Sequence, residues 1–163
     1  MTAAELKTIR ESLGLTTQWI ADQAGVRLRT AQYWEQGDRM SVPGDVADML
    51  LKIDQQLDTA VKQSIDVVQE IINKNGKPEE IVLVRYRNDS DLWHFRPDMK
   101  PLPASTHAVL LARMSKALAH IDIVFRIEYM EPEEYKNWLG NKKDSEANRS
   151  QWAAMKCSDK SES

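Results

Sequence analysis

Within seven residues the chain places Arg27, Leu28, Arg29, Gln32 and Tyr33. These side chains suit recognition of flat, edge-on hydrogen-bonding partners. A guanidinium fork binds two acceptors at once, as guanine presents them at O6 and N7. Arg29 is the first candidate for such a contact and Arg27 the second. Leu28 suits a thymine methyl group, and Gln32 suits a base edge or the backbone. Upstream, Thr16, Thr17 and Gln18 open a predicted helix with hydroxyls and backbone N–H groups, a setting for a phosphate oxygen. Arg39 stands ready to neutralise another phosphate.

The elements that must position these residues are two short helices and a tight turn in Leu15–Gly37, LTTQWIADQAGVRLRTAQYWEQG. Ile20, Ala21, Ala24 and Val26 form a small apolar face. Ala21 sits where two helices approach closely. Gly25 supplies a positive φ at the turn, and Gly37 caps the second helix in the left-handed conformation. Ala31 and Trp34 face the same core from the second helix. Upstream, Thr2 and Glu5 form a capping box, followed by Leu6, Ile9 and Leu13 at helical spacing.

This stretch resembles the lambda-repressor-like (Cro/CI-type) helix-turn-helix. Thr16, Thr17, Ala21, Gly25, Val26, Thr30, Trp34, Glu35 and Gly37 fit that pattern without a gap, and Thr2–Leu13 fits its first helix. The resemblance implies an N-terminal helix bundle with a recognition helix over 27–36. It also implies base-facing positions at Leu28, Arg29 and Tyr33. The chain departs from the pattern at Trp19, where a polar residue is common, and at Arg27, where Ser or Thr often caps the helix. More narrowly, RTAQYWEQG followed by SVP and VRYRN–DLW resembles the YdiL-like regulators, which include phage regulators associated with anti-CRISPR genes. That likeness spans roughly 1–140.

The rest of the chain points to a mostly α protein with a small α/β C-terminal part. Val46, Leu50, Ile53, Leu57, Ala60, Ser64, Val67 and Ile71 recur in three- and four-residue steps from Gly44 to Asn73. They predict one long linking helix, or two joined by a break, ended by Gly76 and Pro78. Ile81–Tyr86 reads as a strand buried on both faces, and Asn88–Pro103 as loop with a turn at Asp91–Trp93. Ser105–His120 reads as a helix. Ile123, Phe125, Ile127 and Tyr129 alternate as a second strand, and Glu133–Leu139 suggests a short helix. Strand–helix–strand order predicts a parallel pair. The expected domains are 1–60 (helix-turn-helix), 61–140 (dimerisation) and 141–163 (a mobile polar tail).

Other chemistries lack their residues. His107 and His120 lie thirteen positions apart on one predicted helix, and the single cysteine, Cys157, is remote from them, so no metal set is expected. No Ser–His–Asp set or phosphate-cradling glycine loop is present. No catalytic residue and no cofactor is therefore assigned. Glu79–Glu80 and Glu131, Glu133 and Glu134 read as surface or helix-start carboxylates. Trp93, His94 and Phe95 either close the second domain's core or line a ligand pocket. The net charge is −3, and residues 1–39 carry five basic and five acidic groups, so the interface depends on placement rather than on bulk charge. No apolar run spans a membrane, and the lone cysteine favours the cytoplasm.

Two functions follow as expectations. The first is a homodimeric regulator, most simply a repressor, that binds double-stranded DNA at an inverted repeat. RNA stays open as a second ligand, because arginine and aromatic groups also serve RNA by stacking and phosphate contact. The second is a protein-interaction or antitoxin-like adaptor whose helix-turn-helix regulates its own gene.

Overall fold

The computed structural model describes residues 1–37 and 39–161, and side chains as far as Ser158. The chain divides into two compact units, Met1–Ala60 and Val61–Ser163.

The first unit is helical. Helix α1 is Ala3–Ser12, and its capping box forms as the sequence indicates. Thr2 Oγ1 accepts from Glu5 N at 3.1 Å, and Thr2 N donates to Glu5 Oε2 at 2.6 Å. The Thr2 backbone N–H holds the Glu5 carboxyl below its ordinary pKa. Helix α2 is Thr17–Gln23 and α3 is Leu28–Gln36. Between them Gly25 adopts φ +65°, and Val26 N closes the turn on Ala21 O at 2.9 Å. Gly37 ends α3 at φ +75°, and a Cβ there would meet Ala3 Cβ at 2.9 Å. Ile20, Ala21, Ala31 and Trp34 are buried with Leu6 and Leu13 of the first-helix segment. Ala24 and Val26, read as part of the same face, are half-buried.

Helix α4, Gly44–Asn75, is one continuous element of 32 residues, and the boundary between the units falls within it. The alternative of a broken helix is not realised. Among the described residues no helix is long and apolar enough to cross a membrane.

The second unit holds strand β1 (Glu80–Arg85), α5 (Asp89–Phe95), a 3-10 turn (Pro97–Met99), α6 (Ala104–Ala119), strand β2 (Val124–Tyr129), α7 (Pro132–Leu139) and α8 (Glu146–Ser161). The strands pair in parallel, from Glu80 opposite Val124 to Arg85 opposite Tyr129. Paired residues share a face. Val82 and Val84 pack into a core with Tyr86, Leu92, Met130, Tyr135 and Trp152. The other face carries Ile81, Leu83, Phe125, Ile127 and Tyr129. On it, Ile127 is 45% exposed and Tyr129 39%. On β1 itself Val82 and Val84 are buried while Ile81 and Leu83 are half-buried, so the expected burial of β1 on both faces is corrected to one buried and one half-buried face.

Two further expectations are corrected. The segment Asn88–Pro103 is not mainly loop. Asn88 Oδ1 caps α5 by accepting from Asp91 N at 2.8 Å, and Leu92 is fully buried. The segment 141–161 is not the mobile tail expected for 141–163, because Glu146–Ser161 forms α8; residues 162–163 lie outside the described residues. Trp152 and Ala153 enter the core, Ser150 Oγ donates to Val82 O at 2.5 Å, and Arg149 is buried against Asp144 and Glu146. A polar composition hid these anchors. Trp93 and Phe95 pack on the same core, whereas His94 is exposed.

His107 lies buried on α6, its ring edge-on to Tyr86 at 5.1 Å. Burial pushes its pKa down from 6.5 to about 4, and the Arg96, Arg149 and Arg85 charges add to this against Asp98. As pH falls, the unfolded chain takes up this proton before the folded one. The stabilisation is complete above pH 6.5 and is lost as pH drops towards 4, an effect of about 3 kcal/mol. Urea unfolding between pH 7 and 4 should show that slope in the wild type and a shallower one in His107→Leu. Equal slopes would remove His107 as its source.

Candidate nucleic-acid interface

Helix α3 turns Ala31 and Trp34 inward, leaving Arg27, Leu28, Arg29 and Gln32 exposed. The inward face is held by an ion pair between residues 25 positions apart. Arg10 Nε lies 2.5 Å from Glu35 Oε1 and Nη2 3.3 Å from Oε2, while Nη1 donates to Leu15 O at 2.8 Å. The signal was present in α1. Arg10 falls four residues after Leu6 and three before Leu13, a charge inside an apolar stripe. The pair ties α1 to the C-terminal turn of α3 and so fixes the tilt of the exposed face.

On that face the structure gathers three of the sequence-selected residues. Arg29 Nε donates to Tyr33 Oη at 2.6 Å, one helical turn along. Arg39 Nη1 donates to the same oxygen at 3.1 Å. The two guanidinium carbons lie 5.3 Å and 5.0 Å from the Tyr33 ring centroid. Two permanent cations thus converge on one phenol at the surface.

The remaining residues are placed separately. Arg27 occupies the N-cap position of α3 with extended backbone and makes no side-chain cap bond. Thr16 caps α2, its hydroxyl accepting from Trp19 N at 3.0 Å. Thr17 begins α2, where the first N–H groups have no partner within the helix. Gln18 Nε2 donates to Asp22 Oδ1 at 2.6 Å, so its amide is engaged along α2. Among the described residues no group of His, Cys, Asp and Glu is arranged to hold a metal ion.

The sequence model of the Aca2/YdiL-like family matches residues 1–120 of this chain. The chain belongs to the Aca2/YdiL-like family. This is a family of regulators, and the match takes in the first unit and continues to the end of α6. β2, α7 and α8 lie beyond it. No curated protein matches the chain.

Proposed function

We propose that this Aca2/YdiL-like chain is a sequence-specific DNA-binding repressor that acts as a homodimer on an inverted-repeat operator. The observation that carries the reading is the pair of guanidinium groups, Arg29 and Arg39, on Tyr33 at the exposed face of α3. Helix α3 enters the major groove, where Arg29 reads a guanine and Leu28 meets a thymine methyl group. Arg27 and Gln32 flank that contact. The start of α2, at Thr16, Thr17 and Gln18, and Arg39 meet phosphates.

One recognition helix reads few base pairs, so useful specificity calls for two half-sites about 34 Å apart. The second unit supplies apolar surface for the pairing. Val67 and Ile71 on α4 are 57% and 43% exposed, and Ile127 and Tyr129 stand open on the sheet. Selection of bound duplexes from a random pool, with light scattering alongside, tests both parts. An enriched inverted repeat and a dimer mass support the proposal. No enrichment, with a protein partner of fixed stoichiometry, favours the adaptor function.

Arg29→Ala should weaken binding to the selected duplex by about 1–3 kcal/mol and relax preference at one base position. Arg39→Ala should weaken all sequences alike and lower the salt slope by about 1. Titrations at several salt concentrations separate the two. Unchanged base preference in Arg29→Ala would overturn its assignment.

A further inference from the structure

Tyr33 lies half-buried on the side of α3 that the proposed function turns to DNA, yet its hydroxyl already accepts two charge-assisted bonds. Exposed arginines ordinarily sample many rotamers, and two placed together repel. Here the negative face of the phenol ring and the oxygen lone pairs offset that repulsion and narrow the choice of rotamers. Arg29 reaches Tyr33 from four residues earlier on the same helix. Arg39 reaches it from beyond Gly37, whose left-handed backbone lies against Ala3 with no room for a Cβ. The turn that ends α3 therefore also delivers the second cation. Arg27, at the N-cap of the same helix, is outside this arrangement, since neither bond to Tyr33 Oη comes from it.

We infer that Tyr33 is a positioning residue that holds Arg29 and Arg39 as a preformed pair, one guanidinium for a guanine edge and one for a neighbouring phosphate. It does not itself read a base. This rests on the DNA-binding function proposed above. Preorganisation of this kind raises affinity by reducing the ordering required at binding. It also couples specificity to affinity, because the phosphate contact and the base contact share one support.

The test uses the full-length protein and the duplex recovered by in vitro selection with the wild type. Tyr33→Phe keeps the ring and removes the shared acceptor, and Tyr33→Leu removes both. Tyr33→Phe should bind the selected duplex about 3- to 10-fold more weakly, and lose a similar factor of discrimination against a duplex with the guanine replaced. Tyr33→Leu should lose more. Melting temperatures near that of the wild type show that the fold is kept. In the Arg29→Ala Arg39→Ala background, Tyr33→Phe should change affinity by less than about 2-fold, since contacts that act as a unit are non-additive. A full loss in that background would show Tyr33 touching DNA directly and overturn the inference. So would wild-type affinity and discrimination in Tyr33→Phe. A wild type that selects no duplex overturns the DNA-binding function itself and, with it, the role of Tyr33.

Discussion

Replacing Glu35 with alanine is expected to destabilise the first unit by about 3–5 kcal/mol, although no residue proposed to contact DNA is altered. The Arg10 and Glu35 side chains are only 10% and 12% exposed, so solvent screens the pair little. Removing the carboxylate leaves a guanidinium shielded from water with Leu15 O and the exposed Glu11 as its remaining partners. Charge removed from water without compensation is what makes the loss large. The double replacement Arg10→Met Glu35→Leu should recover most of the stability, because no buried charge is then unpaired. Urea unfolding followed by far-ultraviolet circular dichroism measures both. A single-variant loss below about 1 kcal/mol would mean that the pair behaves as a surface ion pair. Because the pair ties α1 to α3, the single variant should also lose the proposed duplex binding at temperatures where the double variant keeps it.

Trp152→Ala should cost about 3–5 kcal/mol in the second unit, the usual range for deleting a buried indole. Trp152 is 1% exposed and packs edge-on against Tyr135, with ring centroids 5.7 Å apart. Its loss opens a cavity beside Val82 and Val84, the only part of the sheet that is fully covered. Limited proteolysis should then cut between Gly140 and Trp152 much faster than in the wild type, as α8 detaches. Were residues 141–163 a free tail, the change would stay within about 0.5 kcal/mol and the cutting rate would not move. An intact α8 in the variant would place its anchorage in Arg149 and Ser150 instead.

Residues that act on their near neighbours were legible. Thr2 with Glu5 and the positive φ of Gly25 and Gly37 are bonds or conformations spanning at most three residues, so the sequence states them directly. The helical period did the same for α4 and α6, and the order of strand, helix and strand announced a parallel pair. The exposed side of α3 followed from the inward period of Ala31 and Trp34. Its candidate contacts were therefore nameable as types before any geometry was known.

What joins distant residues was not legible. Arg10 and Glu35 are 25 positions apart, and Ser150 reaches Val82 across 68. No local pattern encodes such partners, because their meeting depends on how whole elements pack. That is why a polar C-terminal segment reads as a tail, although Trp152, Ala153, Arg149 and Ser150 seat it. It is also why the open face of the sheet looks like core in the strand pattern. For the interface, the sequence by itself determined that α3 offers arginines, an amide and a tyrosine on one side. Only the tertiary structure decided that Arg29 and Arg39 share Tyr33, because that depends on where the chain turns at Gly37 against α1.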